Sequence, residues 1–146
     1  MMMVPSSMVL PTPSWALAFT RTLGPRMKEL GIDPEEMLYL DATDGSDAGI
    51  AALAGKVPTL VVTCGAEGAT AVRVGERATV PSVATTVVDT TGAGDLFASG
   101  FLFGHVNGEP LETCLKRGAI CAAEIISHYG ARPEADLKAL MTEKLG

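Results

Sequence analysis

The sequence has no cluster of lysine or arginine. Its 146 residues carry 11 basic side chains against 17 acidic ones, a formal net charge of −6. A surface of that sign does not neutralise phosphates, which excludes non-specific nucleic-acid binding. No apolar run reaches the ~18–20 residues of a membrane span. The N-terminal stretch MMMVPSSMVLPTPSWALAFTRTLG is mildly apolar, but Pro5, Pro11 and Pro13 interrupt it and no basic segment precedes its apolar part. It makes a poor signal peptide, and residues 1–30 read as an irregular lead-in with Trp15 as a packing residue. Cysteine is scarce: Cys64, Cys114 and Cys121 make an odd number with no C-x-x-C pair. That pattern argues against a disulfide framework or a zinc site and points to a reducing, cytoplasmic setting. Cys114 and Cys121 fall on one face of an expected helix and read as small core residues.

What remains is the composition of one folded domain. The chain is 47% hydrophobic and 19% charged, enough apolar content for a real core. Asp33 followed by Pro34 is a helix-start signature, so a short helix is expected through DPEEMLYL. SDAGIAALAGK reads as a second helix, capped by Ser46 or Asp47 and ended by Gly55. VPTLVVTCG is a continuous β-branched run, as in a strand buried on both faces. ATAVRVG and RATVPS read as short strands around a turn at Gly75 and Glu76, and TTVVD as one more strand. DLFASGFLFGHV, PLETCLKRGAICAAEIISHYG and PEADLKALMTEKLG read as three helices. The expected fold class is therefore α/β, a central β-sheet flanked by helices.

The chemistry is concentrated in DTTGAGDLFASGFL, residues 89–102. A strand, a glycine loop and a helix start make an anion site, because the first helical turn leaves N–H groups unpaired and carries partial positive charge. Gly92, Ala93 and Gly94 let the backbone approach an anion. No Gly-Lys-Ser/Thr follows, so this is not a Walker A loop, nor is it G-x-G-x-x-G. Asp95 is out of place in a pure phosphate cradle, since a carboxylate repels phosphate. It is either an ordinary N-cap or the base that takes a proton from a hydroxyl attacking a bound phosphoryl group. Upstream, TCGAEGA puts Thr63, Gly65 and Gly68 at the end of the buried strand, where α/β sheets bind ligands. Together the two glycine devices suggest a polyphosphate spanning both. His105 and His128 read as surface or helix-end histidines, and Ser99 as a small packing residue.

DTTGAGDLFASGFL resembles, over its whole length, the C-terminal signature of the ribokinase/PfkB family of sugar and nucleoside kinases. TLVVTCGAEGA resembles that family's nucleotide-binding strand and turn. GAICAAEIISHYGARP resembles the helix that walls its adenine pocket, in the form of adenosine-kinase-like members. The resemblance runs from about Asp33 to the C-terminus. It implies a ribokinase-like fold, ATP with Mg2+ as cofactors, possible use of K+, and a sugar or nucleoside as the small-molecule substrate. By residue, it implies Asp95 as catalytic base and Gly92, Ala93 and Gly94 as the loop stabilising the transferring phosphoryl group. It also implies Thr63, Gly65 and Gly68 against the nucleotide, and Asp89 and Thr91 at a monovalent-cation site. DPEE stands where the family carries an Asn-x-x-Glu motif, which would give Glu36 a water-mediated contact to magnesium; Asp33 replaces the asparagine. The family's long N-terminal portion, with the substrate-binding residues, has no counterpart here. The chain is thus expected to be the ATP-side part of a kinase, residues 31–146, forming a homodimer or associating with a missing N-terminal half.

Overall fold

The computed structural model describes residues 37–41, 50–51, 54 and 57–145. Among them, four strands form one sheet in the order β1 (Met37–Asp41), β2 (Thr59–Thr63), β3 (Ala69–Arg73) and β4 (Glu76–Val80). β1 runs parallel to β2, and β3 lies between β2 and β4, antiparallel to both. β2 is buried at every position, as its unbroken Thr-Leu-Val-Val-Thr run requires. Its alternation sorts the core into two layers. Val61 faces a cluster with Ala69, Ala71, Val80, Phe97, Phe101 and Leu115. Leu60 and Val62 face the other way, onto Ile50, Ala54 and Val57. Residues 50, 51 and 54 are helical, so helical residues cover both faces of the sheet and the α/β layering is as expected.

The β3–β4 hairpin turns through Val74 and Gly75, between the paired residues Arg73 and Glu76. Both turn residues have positive φ, 48° and 80°, the geometry of a tight turn that matches strand twist.

Three helices follow: α1 (Ala93–Val106), α2 (Leu111–Ile126) and α3 (Leu137–Leu145). α1 and α2 pack backbone to backbone. A Cβ at Gly100 would stand 2.5 Å from the Arg117 carbonyl oxygen, and one at Gly118 would stand 2.8 Å from that of Phe97. Arg117, 7% exposed, crosses back to the α1–α2 connection. Its Nε and Nη2 donate to the two Glu109 carboxylate oxygens at 2.5 and 2.6 Å, and its guanidinium stands 5.4 Å from the Phe103 ring centroid. That hydrogen-bonded guanidinium holds the Glu109 carboxyl below its usual range. Cys114 and Cys121 are buried, as expected. Burial pushes the Cys121 thiol up to about 11, and its Sγ lies 3.7 Å from Met141 Sδ, docking α3.

One side chain orients the layers. Arg73, at the end of β3, donates from Nη1 to His105 Nδ1 at 3.2 Å, and from Nη2 to the Glu109 carbonyl at 3.3 Å. The C-terminus of α1 therefore lies at the sheet end marked by Thr59, Arg73 and Glu76. A helix of this length reaches about 20 Å, so its N-terminus points toward the end marked by Thr63, Ala69 and Val80.

Three expectations need correction. Met37–Asp41 is a strand, not the continuation of a helix from Pro34: its backbone pairs with β2 over all five residues. Thr85–Asp89 forms no strand. The N–H groups of Val88 and Asp89 turn instead to the carbonyl oxygen of Ile126 at 2.7 and 3.3 Å, and Val87 and Val88 stay exposed. Ser99 does not pack; it is exposed, and its hydroxyl donates to the Asp95 carbonyl oxygen. Residues 1–30, Asp33 and Glu36 lie outside the described residues. No helix among the described residues is long and apolar enough to cross a membrane.

Candidate functional site

The site grows from the chain between β4 and α1. Pro81 leaves the sheet beside Gly68, whose φ is +100°. A Cβ there would run into the Val80 carbonyl oxygen and lie 2.9 Å from Pro81 Cα. The structure thus explains Gly68 by close packing. Gly65 differs: its φ is +55°, and nothing lies within 4 Å of where a Cβ would stand. Gly65–Glu67 forms one 3-10 turn directly after β2, tied to the exit segment by the Ser82 hydroxyl, which donates to the Ala66 carbonyl oxygen at 2.8 Å. This turn and the N-terminus of α1 face the same end of the sheet.

Asp89 shapes the second glycine loop. Its Oδ1 accepts from the Thr91 N–H at 3.0 Å and from the Thr91 hydroxyl at 2.6 Å, and its Oδ2 accepts from the Gly130 N–H at 3.0 Å. The Thr91 hydroxyl, then the Gly130 and Thr91 N–H groups, hold its carboxyl down to about 2, against a smaller effect of burial. Asp89 thus fastens the loop to the segment after α2. A cation held through Asp89 would compete with these three donors for the same lone pairs.

The chain then enters α1 through Gly92, the N-cap, in the left-handed region at φ 82°. A Cβ at Gly92 would also stand 3.1 Å from Ala131 Cβ, so both conformation and contact demand glycine. No side chain caps the helix. Ala93 N–H donates to Thr90 O and Leu96 N–H to Gly92 O. At Gly94 nothing lies within 4 Å of a Cβ position, so an outside group can come up against the first helical turn. Asp95 is exposed and is the third residue of the helix. A capping carboxylate at that position reaches back to the N-cap N–H; this one does not. The N-cap of α1 is Gly92, and Asp95 lies three residues further on.

A cavity of about 550 Å³ opens between Val83–Thr85, the second half of α2 (Ile120, Ala123, Glu124), the residues that follow it, and Leu140 and Lys144 of α3. Its polar wall was not anticipated. Glu124 Oε1 accepts from His128 Nε2, Glu134 N–H and Ala135 N–H, each at 3.0 Å. Burial works to raise the Glu124 carboxyl, but those N–H groups and His128 outweigh it and hold it below the usual range. Both His128 ring nitrogens face oxygens, Nδ1 the Tyr129 carbonyl at 3.3 Å and Nε2 Glu124. Only the doubly protonated ring donates to both. The Tyr129 contact, then Glu124 and Glu134, raise the His128 pKa against the opposing effect of burial. The i, i+4 spacing of Glu124 and His128 was the available signal in the sequence. Among the described residues, no group of three or more His, Cys, Asp or Glu is placed to hold a metal ion. His105, at the end of α1, is a helix-end histidine as expected.

The comparisons with known proteins agree with this geometry. The model of the pfkB family of carbohydrate kinases matches residues 33–137, more than half of the chain. An uncharacterized sugar kinase of Archaeoglobus fulgidus is 43% identical over 76 residues, which are 52% of this chain and 30% of the relative. The structure of adenosine kinase from Sinorhizobium meliloti superposes with a TM-score of 0.69 at 30% identity, over 88% of this chain and 42% of that one. Arabidopsis thaliana ribokinase, solved with ribose and ATP, gives a TM-score of 0.64 at 25% identity, over 73% of this chain and 40% of its own. The chain therefore spans well under half the length of these relatives. With the family signature, the ribokinase-like α/β layers and the uncapped glycine loop all in register, the chain belongs to the pfkB family of carbohydrate kinases.

Proposed function

We propose that this chain supplies the nucleotide side of an ATP-dependent kinase acting on a hydroxyl of a sugar or nucleoside. The observation that carries the reading is the start of α1: a left-handed glycine N-cap, no capping side chain, open space at Gly94, and an exposed carboxylate one residue later. These residues fit a phosphate chain. The positive end of α1 would meet its oxygens, and the turn at Gly65 offers a second open backbone surface at the same sheet end. The 550 Å³ cavity along α2, apolar at Val83, Ile120 and Ala123, is sized for the base. Bound ATP would supply the phosphoryl group, and Mg2+ would neutralise its charge through the phosphate oxygens. Asp95 would accept the proton of the attacking hydroxyl, and the loop N–H groups would stabilise the charge that develops on the phosphoryl oxygens. Asp89 and Thr91 would hold a monovalent cation only by giving up part of their present hydrogen bonds.

A second reading has a specific observation behind it. Since the chain covers 30% to 42% of its relatives, it would bind nucleotide without turnover, alone or as a subunit completed by a separate N-terminal half or a second copy. β1 lies at the edge of the described sheet, and such an edge is a place for another strand to pair. Titration of the 15N-labelled chain with MgATP tests the shared core of both readings. Resonances of Gly65, Gly92, Ala93, Gly94 and Asp95 should move first. No binding at millimolar nucleotide, or shifts confined to other elements, would sink the site assignment. Sedimentation then separates monomer from dimer. In the completed enzyme, Asp95→Asn should keep MgATP affinity while lowering phosphoryl transfer by ~10²–10⁴; transfer within a factor of two or so of wild type would remove Asp95 from the chemistry.

A further inference from the structure

The segment Ser127–Asp136, between α2 and α3, takes part in both ends of the proposed nucleotide site. On one side Glu134 and Ala135 line the cavity along α2. On the other, Gly130 N–H donates to Asp89 Oδ2 and Ala131 stands against Gly92. The segment is thus a strap between the cavity and the glycine loop. One side chain anchors it. Glu124 is 9% exposed, and its Oε1 gathers the Glu134 and Ala135 N–H groups and His128 Nε2 at one point. Its other oxygen is buried and has no partner among the described residues. A carboxylate held this way has no freedom to swing, so the strap's position follows from α2.

We propose that Glu124 is a positioning residue: by anchoring the strap it sets the placement of Asp89 and Gly92, and hence the conformation in which the start of α1 meets phosphate. The chain of contacts is continuous. Glu124 fixes Glu134 and Ala135; the strap carries Gly130 and Ala131; these hold Asp89 and Gly92; and Asp89 shapes the turn at Thr91. Because Glu134 and Ala135 also form part of the cavity wall, a base entering the cavity presses on the same strap that braces the phosphate loop. Glu124 itself lines the cavity, so its action on the phosphate loop is read at Thr91, Gly92 and Ala93, away from the cavity wall. The inference rests on the reading of Gly92–Asp95 as a phosphate loop, but the mechanical link can be read without nucleotide.

The test uses the full chain, 15N-labelled, as wild type, Glu124→Ala and Glu124→Gln. In Glu124→Ala the Thr91, Gly92 and Ala93 amide resonances should move, and the Gly130 amide should exchange about tenfold faster or more, while Val61 and Ala71 in the sheet keep their protection. Glu124→Gln keeps an acceptor oxygen for the strap and should restore the wild-type positions, a rescue that simple loss of stability would not show. The same pattern should appear in MgATP affinity, weakened severalfold by alanine and recovered by glutamine. Changes confined to Ser127–Asp136 in the alanine variant would overturn the proposal, as would equal effects of alanine and glutamine at Thr91–Ala93. If Glu124→Ala also strips protection from Val61 and Ala71, His128→Ala decides. It removes one of the three donors, and it must shift Thr91 and Gly92 or the proposal falls. If MgATP binds nowhere while the resonance link holds, the phosphate-loop reading fails and the positioning link stands.

Discussion

Gly94→Ala separates what the fold needs from what the proposed function needs. Gly94 is the second residue of α1, and nothing lies within 4 Å of the place its Cβ would take. Its φ is not in the left-handed region. Alanine there adds no clash and removes freedom from the unfolded chain, so the fold should gain about 0.4–1 kcal/mol. The same methyl occupies the space through which a phosphate would reach the first-turn N–H groups. MgATP affinity should fall about tenfold or more, equivalent to ~1.4 kcal/mol. Gly100→Ala is the matched control on the same helix. Its Cβ would meet the Arg117 carbonyl oxygen at 2.5 Å and Cys121 Sγ at 2.9 Å, so α1 and α2 must part. Alanine's better helix propensity offsets only ~1 kcal/mol, and a net loss of about 1–3 kcal/mol is expected from overpacking. Urea denaturation of both variants, followed by nucleotide titration of whichever stay folded, gives the comparison. The reasoning is refuted if Gly94→Ala is the destabilised variant, or if it binds MgATP as wild type does.

Other outcomes follow from single contacts. Val74 sits at φ 48° and is 88% exposed, so a β-branched residue holds a left-handed turn position without packing. Val74→Asn should raise stability by about 1 kcal/mol in thermal or urea melts. Glu109→Ala leaves the Arg117 guanidinium, 7% exposed, without its carboxylate, and should cost about 3 kcal/mol. For pH, the Asp89 carboxyl is held at about 2 against an ordinary 3.8. A depressed carboxyl stabilises the fold above its unfolded value, and that contribution is lost as pH falls through the folded one. The Gly130 amide should therefore remain slow to exchange at pH 4 and open as pH approaches 2. Opening complete by pH 4 would contradict the Asp89 bonding.

How far the sequence could be read depends on where each element's stability resides. β2 was legible because its unbroken Leu60-Val61-Val62 run requires burial on both faces, whatever the partners. The hairpin was legible because Gly75 marks a turn locally. α1 and α2 were legible from their apolar content, and the glycine loop from an Asp-to-Asp spacing that leaves the backbone bare at a helix start. Met37–Asp41 was misread because Asp33 and Pro34 are a genuine local helix signal, while the strand rests on pairing with β2, a partner eighteen or more residues away in the chain. Thr85–Asp89 was misread for the opposite reason. Its β-branched residues favour a strand, but its N–H groups find the end of α2. The same long-range character hid Glu124. As one acid on an amphipathic helix it looks like any solvated side chain. Its role arises only when the chain, ten and eleven residues on, returns two backbone N–H groups to it. The bare glycines of the candidate site can thus be read from local chemistry, and the side chains proposed to set their position cannot. On the proposed reading, a variant with GAGD intact should still lose nucleotide affinity through changes at Glu124 or Ala131 that leave the signature untouched.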